Sequence, residues 1–223
     1  MIYTVAALAL SNQRMEKTIM NIAVFASHGG SDLQAIMDGC KNNQINAKVA
    51  VVISNNGSSM ALQRVAGEGI PNYHLSAKKS GSEESLATEI LDVLSKYNVD
   101  MIFLAGYMRM LHISVLERYN NRIFNIHPAL LPKFGGKGMF GMNVHTAVIE
   151  AKESETGVTI HRVNAEYDSG KIVAQTTVAT VYKGNIIKNL IMDCQSYTKY
   201  RPNETTGGIF VSWRRKEELP TGA

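Results

Sequence analysis

Residues 20–54 read MNIAVFASHGGSDLQAIMDGCKNNQINAKVAVVIS, and this stretch decides the fold class. It opens with a continuous apolar run, Asn21–Ala26, that ends in a loop containing two glycines. The apolar residues that follow recur at the spacing of one helix face: Leu33, Ile36, Met37 and Cys40. A second apolar run, Lys48–Ser54, comes next. Strand, helix and strand in this order indicate a right-handed crossover between parallel strands that are buried on both faces.

The same alternation continues along the chain. Its segments are a helix at Ser58–Ala66, a short strand at Pro71–Leu75, a helix ending near Tyr97, strands at Asp100–Ala105 and Ile123–Ile126, a loop at Pro128–Asn143 and a helix at Thr146–Lys152. Two late segments, Gly157–Val163 and Lys171–Val181, alternate in polarity around the turn Glu166–Gly170, which favours an antiparallel pair. The sequence therefore predicts an α/β fold with a Rossmann-like, doubly wound, mostly parallel sheet and a C-terminal antiparallel pair.

The composition of the chain excludes several classes of function. The 223 residues suit one well-buried domain, and the formal charge of +4 is too small and too scattered to indicate nucleic-acid binding. The two cysteines, Cys40 and Cys194, form neither a metal-binding cluster nor a disulfide framework, which favours a reducing cytoplasm. No apolar run approaches the roughly 20 residues that cross a bilayer. We expect a cytoplasmic protein with small-molecule partners and without metal, nucleic-acid or membrane partners; its oligomeric state stays open.

The two ends of the chain differ from its middle. Residues 1–19 contain the apolar run Ile2–Leu10 without a preceding basic residue, so they do not read as a secretory signal. Met20 directly precedes the first strand, and we expect residues 1–19 to be an extension without a catalytic role. Residues 20–184 form the predicted catalytic domain, and residues 185–223 a divergent C-terminal segment.

The loop Ser27–Asp32 lies between a strand and a helix, where backbone N–H groups and the helix dipole favour an anion. Gly30, Ser31 and Asp32 are its candidate phosphate-binding residues. The loop lacks the full glycine pattern of dinucleotide sites, and a plain turn capped by a serine or aspartate explains it equally well.

Asn125 and His127 are two residues apart at the end of a strand, so their side chains leave the same face. A carboxamide donor beside an imidazole can stabilise a developing oxyanion and exchange a proton with it. Asp168, in the late turn, can orient a nearby imidazole and raise its pKa. Each residue also has an ordinary structural explanation, and His161 on the preceding strand is equally compatible with a core position.

Four segments together resemble the folate-dependent formyltransferases, and within them the enzymes that act on glycinamide ribonucleotide. They are Ser27–Ile36, Leu104–Leu111, Asn125–Phe134 and Tyr167–Gly170, and they lie in family order within residues 20–184. The resemblance implies transfer of a formyl group from 10-formyltetrahydrofolate, used as a co-substrate, to the amine of the ribonucleotide. It also implies that no metal and no covalent enzyme intermediate takes part.

The resemblance assigns roles to individual residues. Asn125, His127 and Asp168 correspond to the catalytic asparagine, histidine and aspartate, with His127 protonated through Asp168 and a water on Asp168 carrying the proton to N10. Gly30, Ser31 and Asp32 would bind the ribonucleotide phosphate. The residues that would line the pterin pocket are Met108, Arg109, Met110, Leu111 and Asn125.

The chain departs from the family pattern in three places. Glu83 stands where a basic residue is common, and the loop 135–142 is longer and richer in glycine. Residues 185–199 contain neither the glutamate nor the histidine of the family's C-terminal helix. Two alternatives therefore stay open: a related enzyme with the same catalytic set, such as a formyltetrahydrofolate hydrolase or a methionyl-tRNA formyltransferase, or a non-catalytic folate- or nucleotide-binding relative.

Overall fold

The computed structural model describes residues 19–180, together with the backbone of two short strands at residues 199–202 and 209–212. The strands are β1 (Met20–Phe25), β2 (Ala47–Ser54), β3 (Asn72–His74), β4 (Met101–Leu104), β5 (Ile123–His127), β6 (Glu155–Arg162), β7 (Ile172–Ala179), β8 (Lys199–Pro202) and β9 (Ile209–Ser212). The helices are α1 (Ser31–Lys41), α2 (Met60–Ala66), α3 (Ala77–Ser80), α4 (Glu83–Lys96), α5 (Ile113–Arg118) and α6 (Met142–Glu150).

Seven strands form one sheet in the order β3-β2-β1-β4-β5-β6-β7. The first five strands in this order pair in parallel, whereas β6 pairs antiparallel with both β5 and β7. The predicted fold class, mostly parallel and doubly wound with a C-terminal antiparallel pair, is confirmed. Strands β8 and β9 form a separate antiparallel pair.

The side chains of β1 show why the sheet is covered on both faces. Ala23 and Phe25 pack into one apolar cluster with residues of α4 and α5, whereas Ile22 and Val24 pack into a second cluster with α1 and α2. Successive strand residues point to opposite faces, so an uninterrupted apolar run requires a hydrophobic layer on each side. Within the described part of the chain, no helix has the length and hydrophobicity needed to span a bilayer.

Two parts of the secondary-structure prediction were wrong. Helix α6 begins at Met142, so the predicted loop Pro128–Asn143 ends too late and the helix predicted from Thr146 begins too late. The glycines before α6 obscured its start, although Val144 and Val148 form its buried stripe. The short helices α3 and α5 were not predicted. The prediction for residues 1–19 lies outside the described residues apart from Ile19, and that for residues 185–223 does so apart from β8 and β9.

Candidate active site

The candidate site lies where the chain order of the sheet reverses. Strand β1 lies between β2 and β4, so crossovers leave it in both directions, and open α/β sheets bind ligands beyond the carboxyl ends of strands at such a point. A cavity of about 730 Å³ lies there. All the site residues proposed from the sequence line this cavity: Gly30, Ser31, Asp32, Met108, Arg109, Met110, Leu111, Asn125, His127 and Asp168.

The loop after β1 presents backbone donors to the cavity. Gly30 has φ 70°, and the first helical bond of α1 runs from Gln34 N–H to the Gly30 carbonyl at 2.9 Å. The amides of the preceding helical residues, Ser31–Leu33, therefore have no partner within the helix. Gly30 is required on two counts, because its φ is left-handed and an added Cβ would lie 2.9 Å from Cα of Ala61. The cap is this glycine and not a serine or aspartate side chain, and the amides remain available to an anion.

Asp32 brings a carboxyl group into the same loop. It occupies the first turn of α1 and is half-buried, and burial raises the pKa of Asp32 to about 6. An ionised carboxylate repels an approaching phosphate. The loop can therefore attract an anion through its amides but not through this side chain.

The side chain of Ser27 connects the loop after β1 to the loop after β4 through a hydrogen bond. Its buried hydroxyl donates to Oδ1 of Asn55 at 2.6 Å and accepts the backbone N–H of Met108 at 2.8 Å. The family resemblance includes Ser27 in the segment Ser27–Ile36 but assigns no role to its side chain. This hydroxyl fixes the start of the predicted folate segment relative to the anion-binding loop.

The remaining residues of that segment have different environments. Leu111 is buried in the core, whereas Arg109 is exposed and donates from Nη2 to Oε1 of Glu83 at 3.0 Å. Glu83, the residue that departs from the family pattern, thus holds Arg109 at the surface of the site. Apolar side chains about half exposed occur along the cavity lining: Met110, Phe140, Met142 and Tyr167.

Asp168 is the centre of the polar end of the cavity. It has φ 51° and is only 10% exposed at the side chain. Its Oδ2 accepts the backbone N–H of Gly136 at 3.0 Å, and its Oδ1 accepts Nδ2–H of Asn125 at 3.3 Å. The carboxylate also lies between two imidazoles, with Oδ2 at 3.6 Å from Nδ1 of His127 and Oδ1 at 3.4 Å from Nε2 of His161.

The surroundings of Asp168 keep it ionised. Burial by itself raises the pKa of this carboxyl group, but the contact with His161, the hydrogen bond from the Gly136 amide and the nearby His127 outweigh burial and hold the pKa of Asp168 below its usual value. Asp168 therefore supplies a fixed negative charge between the two rings.

His127 is buried on β5, and its hydrogen-bond partners indicate which ring nitrogen carries a proton. Its Nε2 lies 2.8 Å from the carbonyl oxygen of Phe134, which can only accept, so Nε2–H is the donor. In the neutral ring Nδ1 then carries a lone pair toward Asp168. Burial lowers the pKa of His127 and outweighs the opposing effects of Asp168 and of the Phe134 carbonyl. Asp168 therefore acts on His127 in the expected direction but is opposed by burial, and the expectation that His127 is protonated through Asp168 stays a prediction.

Two further histidines belong to this region: His161, for which the sequence left a core position equally open, and His145, which the sequence did not single out. His161 on β6 lies directly opposite Asn125 in the strand register and accepts its Nδ2–H at 3.0 Å. His145 on α6 is buried along the cavity, and its Nδ1 has no hydrogen-bond partner among the described residues. In the same part of the chain, no group of three or more His, Cys, Asp or Glu residues could hold a metal ion. Only the register of β5 against β6, which the sequence does not specify, could have placed His161 against Asn125.

Replacing Asp168 by asparagine is expected to lower the pKa of His127 further. Burial lowers the pKa of His127 and the Asp168 carboxylate raises it. Without the negative charge of Asp168, the effect of burial is larger and the pKa falls. Asparagine tolerates the left-handed φ at this position, and the turn should persist. An NMR titration of His127 measures the shift, with the exposed-site variant Asp38→Asn as the control that should leave it unchanged. Equal His127 titration midpoints in the wild type and Asp168→Asn would refute the interaction.

Comparison with known proteins finds a family whose profile matches most of the chain. Residues 20–189 match the profile of the family described as formyl transferase. The chain is 41% identical over 161 residues to the chloroplastic phosphoribosylglycinamide formyltransferase of Arabidopsis thaliana, covering 72% of this chain and 55% of that protein. It is 37% identical over 159 residues to phosphoribosylglycinamide formyltransferase of Escherichia coli, covering 71% of this chain and 73% of that protein.

A solved structure agrees with these sequence relatives. Glycinamide ribonucleotide transformylase 1 of Geobacillus kaustophilus superimposes with a TM-score of 0.73 at 36% identity, covering 80% of this chain and 92% of the other. The present chain spans about half the length of the plant relatives that it matches.

Proposed function

Because this chain belongs to the formyl transferase family, we propose that it transfers the formyl group of 10-formyltetrahydrofolate to the amine of 5'-phosphoribosylglycinamide in purine biosynthesis. The observation that carries the proposal is the joint occurrence of Asn125, His127 and Asp168 along one cavity with the amides at the start of α1. A polar reacting end and an anion-binding loop are what a phosphorylated amine substrate requires. The names of the relatives supply the identity of that substrate.

We assign the two substrates to different parts of the cavity. The ribonucleotide phosphate binds the backbone amides of Gly30, Ser31 and Asp32, where helix geometry leaves donors free. The folate binds along Met108–Leu111 and against Asn125. The apolar lining there suits the flat aromatic ring system of a pterin, and the backbone of the segment supplies polar contacts.

The reaction needs one bond made and one bond broken at the formyl carbon. The lone pair of the ribonucleotide amine attacks that carbon, and the carbonyl electrons move to the formyl oxygen. When the carbonyl re-forms, the bond to N10 breaks and N10 retains the electron pair. N10 gains the proton that the amine loses, carried by a water held on Asp168. Atoms and charge balance without an oxidant or a covalent enzyme intermediate.

Asn125 and His127 stabilise the negative oxygen formed in the first step. In the structure their N–H groups are bonded to protein acceptors, with Asn125 donating to His161 and Asp168, and His127 donating to Phe134. An oxyanion is a stronger hydrogen-bond acceptor than a neutral carbonyl. The developing charge therefore competes for these donors best in the transition state, where their bonds accelerate the reaction.

We further propose that residues 20–184 are the catalytic unit, flanked by an N-terminal extension and a divergent C-terminal segment. The half-buried free Cys40 is compatible with a reducing compartment, and we favour the cytoplasm, although two plant relatives are named chloroplastic. The partners we propose are the two small-molecule substrates, without nucleic acid or a membrane surface.

Turnover with both substrates tests the proposal. We expect the full chain to release tetrahydrofolate only when 10-formyltetrahydrofolate and 5'-phosphoribosylglycinamide are both present. Release with the folate alone would favour the hydrolase alternative. Calorimetric binding of each substrate without turnover would favour the non-catalytic alternative.

A further inference from the structure

His161 is buried against the proposed catalytic residues, yet the mechanism above leaves it without a role. The ring is 2% exposed, and its Nδ1 lies 2.9 Å from the carbonyl oxygen of Arg162. A carbonyl oxygen only accepts hydrogen bonds, so Nδ1 carries the proton of the neutral ring. The other nitrogen, Nε2, is then an acceptor and lies 3.0 Å from Nδ2 of Asn125.

This tautomer fixes the orientation of the Asn125 amide. With Nδ2 toward His161, the amide donates to Nε2 at 3.0 Å and to Oδ1 of Asp168 at 3.3 Å. Turned by half a rotation, the amide would place its own oxygen against the lone pair of Nε2 and against the carboxylate. Both contacts would then be repulsive, so His161 and Asp168 together select one orientation.

The backbone next to His161 is also tightly packed. A Cβ added at Gly170 would lie 1.8 Å from the Arg162 carbonyl oxygen, and the Arg162 N–H donates to the Lys171 carbonyl at 2.9 Å. The turn that carries Asp168 therefore packs against the carbonyl that fixes the tautomer of His161. The packing of this turn therefore positions both His161 and Asp168, the two groups that face the Asn125 amide.

We propose that His161 is a positioning residue, whose Nε2 accepts one Nδ2 hydrogen of Asn125 so that the second hydrogen is available to the formyl oxygen. This rests on the proposed function, in which Asn125 is an oxyanion donor. The second hydrogen makes the longer contact, with Asp168, and is the one that a negative oxygen can take over. Without His161 the amide can turn, and its oxygen would then face the oxyanion with the wrong charge.

Two substitutions at one position separate positioning from packing. His161→Leu fills the space but accepts no hydrogen bond, whereas the Oε1 of His161→Gln can accept from Asn125. The matched control is Ile160→Val, the adjacent buried residue of β6 that does not line the cavity. Thermal unfolding of all four proteins establishes that each is folded.

We expect His161→Leu to lower kcat roughly tenfold or more, with both KM values within about threefold of wild type, since one hydrogen bond is lost at a donor that acts in the transition state. His161→Gln should recover most of that loss, and Ile160→Val should resemble wild type. A Leu variant with wild-type kcat, or a folded Gln variant as slow as Leu, would overturn the proposal.

The side-chain amide signals of Asn125 give a readout that does not depend on activity. In selectively ¹⁵N-labelled protein, we expect two well-separated amide proton shifts in wild type and in His161→Gln, and a reduced separation in His161→Leu. Unchanged Asn125 signals in His161→Leu would contradict the positioning role. If the wild-type chain transfers no formyl group, the proposed function fails, while this comparison still decides whether His161 orients Asn125.

Discussion

Replacing His127 or Asn125 by alanine is expected to lower formyl-transfer turnover about a hundredfold or more, while folate binding stays measurable. Both side chains lie on one face at the end of β5 and share Asp168 as a neighbour. Loss of a single oxyanion donor typically costs about 10² to 10³ in rate. Since such a donor acts mainly on the transition state, kcat should fall much more than the affinity for substrate.

Steady-state kinetics with both substrates, and calorimetry with a folate, measure the two effects. Ile123→Val serves as the matched control, because Ile123 is buried on the same strand and does not line the cavity. His127→Gln provides a second variant in case the alanine protein is destabilised by the space it leaves. Turnover within threefold of wild type in a folded His127 or Asn125 variant would remove that residue from the catalytic set.

Replacing Gly157 by alanine is expected to destabilise the fold by about 3 kcal/mol or more, beyond the usual range for overpacking. Gly157 lies on β6 opposite Thr177, and an added Cβ would lie 1.9 Å from the backbone carbonyl oxygen of Thr176. A backbone atom cannot move aside as a flexible side chain can, so the β6–β7 ladder itself must shift. For a chain of this length, 3 kcal/mol corresponds to a fall in Tm of roughly 6 to 12 °C.

Thermal unfolding followed by circular dichroism measures this change. Gly67→Ala is the matched control, since Gly67 has φ −77° and nothing within 4 Å of the added Cβ. Alanine there should leave Tm unchanged or raise it slightly. If Gly157→Ala and Gly67→Ala unfold at the same temperature, the close approach of the two strands does not govern stability.

The centre of the parallel half of the fold could be predicted because β1 and β2 are buried on both faces. The run Asn21–Ala26 has no polar alternation, and only a sheet covered by helices on both sides buries such a strand. The start of α6 could not be predicted in the same way, because Gly141, with φ 53°, precedes Met142 and the local composition resembles a loop. Local residue preferences there are overridden by the packing of Val144 and Val148.

The candidate site was only partly predictable for a related reason. Asn125 and His127 share a strand, so their common face follows from the two-residue period of a strand. His161 reaches Asn125 through the pairing of β5 with β6, and that register depends on contacts distant in sequence. The direction of the His127 pKa shift likewise depends on burial, which the sequence does not specify.

The fate of the formyl carbon tests the central claim most directly. The full chain is mixed with ¹³C-formyl-labelled 10-formyltetrahydrofolate and 5'-phosphoribosylglycinamide, and the products are separated and analysed by mass spectrometry. Our account predicts that the label appears on the ribonucleotide as its N-formyl derivative, in an amount equal to the tetrahydrofolate released. Label recovered only as formate, or retained on the folate while both substrates bind, would contradict it.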